Sequence, residues 1–287
     1  MEKTEKYITR PDARLYTRAT GQPQHGTILL AMGATASMAW WPEAFIEALA
    51  NAGYRVISFD HRDTGRSTLS APGAPPYDVP DLVEDIIGIL DAYDVPAAHL
   101  VGMSLGGLVS QVVAVEHPKR VVTITLFAAE PLNNAYDGQG MPAEMMEHFG
   151  GINSLDWADR QAVTNFLLRI AELSSASSRP FDRKAALDRI NRELDQTLDI
   201  RAAFNHAMLQ GNIDPNLHAQ DIVHPTLIIH GRADPLISVS AATKTMELVS
   251  SAQLVVLEDV GHEFTPAEVP IIANAIVGFI DNSANQG

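Results

Sequence analysis

The stretch Ala98-His-Leu-Val-Gly-Met-Ser-Leu-Gly-Gly107 decides the fold of this chain. Its apolar first half, Ala98–Gly102, is predicted to be a buried strand, and Leu105–Glu116 is predicted to be a helix. The turn between them, Gly102-Met-Ser-Leu-Gly106, matches the pattern Gly-x-Ser-x-Gly. Such a turn lifts a serine hydroxyl clear of the sheet, so Ser104 is the predicted nucleophile. The alternative is a glycine-rich turn that only packs the helix on the strand.

Strands and helices alternate on both sides of this stretch. The strands lack polar alternation, which is typical of a parallel sheet covered by helices on both faces. The predicted class is therefore α/β. Further predicted strands are 27–32, 54–59, 121–128, 226–230 and 253–257, and further predicted helices are 44–52, 79–93, 239–249 and 268–280.

The middle of the chain has a different character. No strand-like run occurs between Pro131 and Asp221, whereas 153–173 and 181–209 have helical patterns separated by a serine-rich break. We therefore predict a core domain formed by residues 1–130 and 221–287, with residues 131–220 inserted as a helical cap.

Composition excludes several functional classes. The chain has 287 residues, 46% of them hydrophobic, and a formal charge of −15, which argues against nucleic acid or anionic lipid as a partner. It has no cysteine, so disulfides, thiolate metal sites and a cysteine nucleophile are excluded. The N-terminus lacks a signal-peptide pattern, and no apolar run approaches roughly 18 residues, so we expect a cytoplasmic protein that does not enter a membrane.

A serine nucleophile needs a base, and the predicted base is His262. It is the one of ten histidines that follows the last predicted strand, in Gly261-His-Glu-Phe264, where a loop would reach the carboxyl edge of the sheet. The rival is His230. Because His230 lies at the end of a strand and precedes the predicted acid, we interpret it as a buried strand-end residue.

The predicted acid is Asp234. It follows the penultimate strand in Gly231-Arg-Ala-Asp-Pro235, and its carboxylate would hold the imidazole in the required tautomer. Two rivals remain open at this point. Glu130 follows another strand, and Asp259 lies three residues from His262.

Two backbone N–H groups are predicted to stabilise a developing oxyanion. One belongs to Leu105, directly after the nucleophile, and the other to Ala34, in the loop that follows the first long strand. Asp60 and Arg62 are predicted to form a buried pair that braces this loop.

An apolar, methionine-rich pocket is predicted beside these turns, although ordinary core packing is an equally good explanation for any single residue. The predicted pocket residues are Gly33, Met38, Trp40, Trp41, Met103, Met145, Phe149, Ile237 and Phe264.

The chain resembles the α/β-hydrolase superfamily, and within it the aclacinomycin methylesterase group. The resemblance rests on Asp60–Ser67, Met32-Gly33-Ala34 and the Gly102–Gly107 turn. It implies an α/β-hydrolase fold with a mostly parallel eight-stranded sheet, a triad of Ser104, Asp234 and His262, and oxyanion donors at Ala34 and Leu105. The cap takes no part in the resemblance, so the substrate does not carry over.

Together these patterns predict a serine hydrolase that cleaves a carboxylic ester, such as a bulky methyl ester or a lactone. Such chemistry needs no cofactor and no metal, and the expected partner is a small-molecule ester. One alternative is a C–C bond hydrolase or perhydrolase with the same triad. Another is a non-catalytic ligand receptor on the same fold. The oligomeric state, including a homo-oligomer, stays open.

Overall fold

Eight strands pair into a single sheet in the computed structural model, which describes residues 1–138 and 140–284. The sheet order is β1-β2-β4-β3-β5-β6-β7-β8. The pairs β1–β2 and β2–β4 are antiparallel and all the others are parallel, which confirms the predicted class and the mostly parallel sheet. The strands are β1 Lys3–Thr9, β2 Arg14–Thr20, β3 Thr27–Ala31, β4 Arg55–Phe59, β5 Ala98–Met103, β6 Val121–Phe127, β7 Thr226–Gly231 and β8 Ala252–Leu257.

The strands β1 and β2 were not located from the sequence. β1 is the edge strand of the sheet, and most of its residues are exposed and polar. It therefore lacks the apolar run by which a central strand is recognised. By contrast, β3 and β5 are buried along their whole length, as central strands of a parallel sheet must be.

Helices cover both faces of the sheet. α1 and α9 contribute to the apolar cluster on one face, and α2 and α3 to that on the other. Within the described residues, no helix is long and apolar enough to cross a membrane. The core helices are α1 Glu43–Asn51, α2 Val79–Ala92, α3 Leu105–Glu116, α8 Val239–Leu248 and α9 Val269–Ala284.

The segment 131–220 contains the remaining helices, and its described residues contain no strand. Its small apolar cluster lies mainly between α5 and α6. The helices are α4 Ala143–Gly150, α5 Arg160–Leu173, α6 Arg183–Gln196 and α7 Ile200–Ala203.

Two of the helical boundaries predicted in this segment were wrong. α5 begins at Arg160 rather than 153, because Asp159 accepts hydrogen bonds from the N–H groups of Gln161 and Ala162 as an N-cap. The predicted single helix over 181–209 is also interrupted. Asp199 caps a new helix by accepting from the N–H of Arg201, so α6 and α7 are separate.

The predicted pair between Asp60 and Arg62 was also wrong. Arg62 donates instead to both carboxylate oxygens of Asp85, over 2.7 and 2.9 Å, and to Asp12. Asp60 accepts from the N–H groups of Met38 and Arg66, and burial raises its pKa to about 7. A guanidinium can donate two parallel hydrogen bonds to the two oxygens of one carboxylate, and the position of Asp85 allows this bidentate pair.

Replacing Asp85 with alanine should lower the free energy of unfolding by about 3–5 kcal/mol, because it leaves a buried guanidinium without its main partner. The side chains of Arg62 and Asp85 are only 6% and 1% exposed. Chemical denaturation measures the change. Asp91→Ala on the same helix is the control, since Asp91 pairs with Arg120 at a 64% exposed position and should cost less than about 1 kcal/mol. Equal losses in the two variants would show that burial adds nothing to the importance of the Arg62–Asp85 pair.

Candidate active site

The predicted nucleophile lies on a strained turn between β5 and α3. The Ser104 backbone has φ 49° and ψ −116°, a conformation that residues other than glycine rarely adopt. Its N–H donates to Phe127 O over 2.9 Å, which ties the turn to β6. A Cβ atom on Gly102 would clash with Gly106 O, and one on Gly106 would clash with Ala31 O. The two flanking glycines therefore permit the close packing that holds Ser104 in this conformation.

The carboxyl ends of β7 and β8 bring Asp234 and His262 together. His262 Nδ1 donates to Asp234 Oδ2 over 2.8 Å. The other carboxylate oxygen, Oδ1, accepts the N–H groups of Leu236 and Ile237 over 2.8 and 2.9 Å. Both carboxylate oxygens therefore have partners, and the imidazole carries its proton on Nδ1. That tautomer leaves the lone pair on Nε2.

The pKa values of these two groups move in opposite directions. Burial acts to raise the pKa of Asp234, but hydrogen bonds from His230 and His262 outweigh it and hold that pKa well below its ordinary value. Burial acts to lower the pKa of His262, but the hydrogen bond and charge of Asp234 raise it overall. Asp234 is therefore a carboxylate, and it stabilises the imidazolium form of His262.

The rival residues lie in other surroundings. His230 is fully buried, and its Nε2 lies 2.7 Å from Ile237 O and 3.3 Å from Asp234 Oδ2, so its proton is shared between these two acceptors. Glu130 accepts from the Tyr136 hydroxyl over 2.6 Å, not from a histidine. No hydrogen bond or ion pair between Asp259 and His262 occurs within the described residues.

Ser104 and His262 line the same cavity. Within the part of the chain that the structure describes, no hydrogen bond joins Ser104 Oγ to His262 Nε2. Such bonds are often long without substrate and tighten as it binds. The structure thus joins Asp234 to His262 directly and places Ser104 on the wall that His262 also lines.

The predicted oxyanion loop, residues 32–37, lies against Ser104. A Cβ atom on Gly33 would be in van der Waals contact with Ser104 Cβ, at 3.4 Å. Ala34 lines the cavity beside Ser104. Among the described residues, neither the Ala34 N–H nor the Leu105 N–H has a hydrogen-bond acceptor, so neither donor is used by the fold.

The cavity has a volume of about 980 Å³ and lies between the sheet and the inserted helices. Its lining is largely apolar, which is typical of sites for small organic ligands. Six predicted pocket residues line it: Gly33, Trp40, Met103, Met145, Phe149 and Ile237.

The prediction was wrong for three pocket residues, which lie outside this cavity. Met38, Trp41 and Phe264 are at most 6% exposed and belong to the core. Trp41 stacks on Phe45 with ring centroids 5.5 Å apart, and Phe264 contacts Phe127 edge to face at 5.2 Å. Their large apolar side chains are accounted for by packing between α1 and the sheet.

Sequence reasoning missed most of the cavity lining contributed by the insertion, including Tyr136, Trp157, Phe204 and Met208. It also missed Glu193 and His206, which hydrogen-bond the oxyanion loop. The sequence did contain one signal for Glu193. Ala186, Ile190 and Glu193 share the buried stripe of α6, so Glu193 is an acidic residue at a position that otherwise faces the core.

The sequence matches the profile of the alpha/beta hydrolase fold over residues 26–265. It is 28% identical to a rhodomycin D methylesterase of Streptomyces sp. strain C5, over 94% of this chain and 96% of that protein. It is 38% identical to the rhodomycin D methylesterase of Streptomyces peucetius, over 46% of this chain and 44% of the relative. The predicted resemblance to the methylesterase group is confirmed.

A solved structure supports the same architecture. The esterase from Exiguobacterium antarcticum superposes with a TM-score of 0.79, covering 97% of this chain and 100% of the esterase at 22% identity. At that identity, the similarity establishes the fold.

Proposed function

This chain belongs to the alpha/beta hydrolase fold family and is a carboxylic ester hydrolase, and we propose that it acts through an acyl-enzyme on Ser104. One observation carries the proposal. The buried Asp234–His262 hydrogen bond of 2.8 Å faces the cavity in which Ser104 occupies a strained strand-to-helix turn. The order Ser, Asp, His along the chain is the order in which this fold supplies a triad.

Acylation begins when His262 Nε2 takes the proton from Ser104 Oγ, which attacks the carbonyl carbon of the ester. The oxygen of the tetrahedral intermediate becomes an anion and accepts hydrogen bonds from the N–H groups of Ala34 and Leu105. The carboxylate of Asp234 stabilises the imidazolium. His262 then donates its proton to the leaving alcohol, and the acyl-enzyme forms.

Deacylation repeats these steps with water. His262 removes a proton from a water molecule, which attacks the acyl carbon, and the same two N–H groups stabilise the second oxyanion. Collapse of this intermediate returns the proton to Ser104 Oγ and releases a carboxylic acid. Apart from the water, protein side chains and backbone amides supply every catalytic group in this scheme.

The proposed substrate is a small-molecule ester with a bulky acyl part, and a methyl ester fits best. A cavity of about 980 Å³ lies at the upper end of the range for drug-sized ligands, so it accommodates several fused rings. Met103, Met145, Phe149 and Trp157 supply apolar and aromatic contacts for such rings. Two of the relatives are named methylesterases, which favours a small leaving alcohol.

Ser104→Ala should reduce ester turnover by about 10⁶-fold, because no other group replaces the nucleophile. A fluorophosphonate probe should modify the wild-type protein at Ser104, as mass spectrometry of peptides would detect, and should leave the variant unmodified. Ser250→Ala is the control, since Ser250 is an exposed serine that does not line the cavity, and it should keep wild-type rates. Near-normal turnover by Ser104→Ala would refute the proposal, and an unlabelled, inactive wild-type protein would favour a ligand receptor.

The value of kcat/KM should fall tenfold per pH unit below an apparent pKa that lies above imidazole's ordinary 6.5. The sign follows from Asp234, which raises the pKa of His262, so the base is lost by protonation at a higher pH than for free imidazole. Asp234→Asn should lower the apparent pKa and reduce kcat by about 10⁴-fold. Asp259→Asn is the control and should leave the profile unchanged. A rate that is flat from pH 5 to 8 would exclude His262 as the base.

A methyl ester of a polycyclic aromatic acid should have a kcat/KM at least about tenfold above that of methyl butyrate, since ring contacts with the cavity stabilise the transition state. Met141→Trp should narrow the cavity mouth and lower kcat/KM for the polycyclic ester alone, because Met141 lines the cavity and is 44% exposed. Met146→Trp is the matched control, at a 56% exposed position outside the lining. A preference for the short ester in the wild-type protein would contradict the proposed substrate class.

A further inference from the structure

The oxyanion loop is held at its ends by the core domain. His61 Nε2 donates to Met32 O over 3.1 Å, and Asp60 Oδ1 accepts the Met38 N–H over 2.9 Å. These contacts set the two ends of the loop and leave its middle, around Ala34, to be held by other groups.

The middle of the loop is held by the inserted segment. We infer that Glu193 and His206 are positioning residues for the reaction, because they fix the loop that presents the Ala34 N–H to the oxyanion. This inference rests on the proposed function and assigns the inserted helices a part in catalysis besides lining the cavity. Neither residue touches the reacting atoms.

His206 holds the residue that follows Ala34. Its Nδ1 accepts the Thr35 N–H over 3.0 Å, and its Nε2 donates to Arg62 O over 2.8 Å. Only a neutral imidazole with its proton on Nε2 satisfies both contacts. Thr35 has φ 64°, a left-handed conformation that costs a β-branched residue free energy and persists only where its surroundings enforce it. The His206 hydrogen bond is one such restraint on this peptide plane.

Glu193 holds the other side of the loop. Its Oε2 accepts the Ser37 hydroxyl over 2.5 Å and the Ser37 N–H over 3.3 Å, and its Oε1 accepts the Thr197 hydroxyl over 2.7 Å. Glu193 is 1% exposed, and no cation pairs with it within the described residues. A buried acidic side chain without a cation is expensive, and an apolar residue would pack on α6 at lower cost. The contacts with Ser37 give the carboxylate a positional role.

The hydrogen bonds of the loop divide into two groups. The N–H groups of Thr35, Ser37 and Met38 are bonded to His206, Glu193 and Asp60, whereas those of Gly33, Ala34 and Ala36 have no acceptor in the described part of the chain. Hydrogen bonds thus hold the residues that follow Ala34, while the Ala34 N–H stays free to bind the substrate. Since the oxyanion exists only in the transition state and the intermediate, loss of these hydrogen bonds should lower kcat more than it raises KM.

The test compares His206→Leu with His206→Asn, in which the amide oxygen replaces Nδ1 as the acceptor for Thr35. We expect His206→Leu to lower kcat by about 10- to 100-fold with KM within about threefold, and to weaken binding of a trifluoromethyl ketone by the same factor as kcat/KM. This ketone forms an oxyanion on addition of Ser104. His206→Asn should recover kcat to within about fivefold of the wild-type value.

Ile190→Ala is the control for loss of packing. Ile190 is fully buried one turn before Glu193 on the same helix, and it belongs to the apolar cluster of the insertion. We expect a lower melting temperature in this variant but a kcat within about threefold of the wild-type value. Ser37→Ala removes the hydroxyl that Glu193 accepts and, with it, the acceptor of the Ala39 N–H at 3.2 Å, and it should lower kcat by about threefold to tenfold without a loss of fold.

Two results would overturn the inference: wild-type kcat in His206→Leu and Ser37→Ala, or a loss in Ile190→Ala as large as that in His206→Leu. A misfolded His206→Leu leaves Ser37→Ala as the deciding variant. Failure of the proposed function looks different, because the wild-type protein would then lack Ser104-dependent turnover. If turnover depends on Ser104 but not on His206 or Ser37, the inference alone is wrong.

Discussion

The close approach of three backbone segments at the turn after β5 is the constraint on which the site depends. Glycines at 102 and 106 let β5, α3 and the end of β3 pack at distances that a Cβ atom would forbid. That packing holds Ser104 at φ 49° and directs the start of α3 toward the cavity. A helix N-terminus carries free N–H groups and partial positive charge, so the turn that holds the proposed nucleophile also provides part of an environment that favours an anion. Packing among β3, β5 and α3 thus holds Ser104 in its strained backbone conformation.

The acid and base are held by a second set of contacts at the same edge of the sheet. Asp234 is buried, but its oxygens accept bonds from two backbone N–H groups and from His262, with His230 behind it. These bonds keep it ionised where burial alone would favour the neutral acid. An ionised partner then sets both the tautomer and the raised pKa of His262. The orientation of the imidazole and most of the rise in its pKa therefore depend on Asp234.

The inserted helices do more than cover the sheet. The Ser174 carbonyl accepts the backbone N–H of His262 over 2.9 Å. Arg179 forms an ion pair with Glu268, six residues after His262. Through Glu193 and His206, the same segment also contacts the loop of residues 32–37, so it contacts both that loop and the loop that carries His262. Residues that shape the cavity and residues that orient catalytic loops therefore belong to one segment.

The sequence by itself determined the central strands and the turn at Ser104, because apolar periodicity and glycine spacing are local signals. It did not reveal β1, because an exposed edge strand has no apolar run. It also did not reveal the partner of Arg62, because packing determines which of several acidic residues lies next to the guanidinium. Tertiary structure alone decided which apolar residues line the cavity, since Met145 and Trp41 are both buried yet only Met145 lines it. It alone also placed Glu193 beside a loop 156 positions away in sequence, because contacts between distant segments depend on how the helices pack on the sheet.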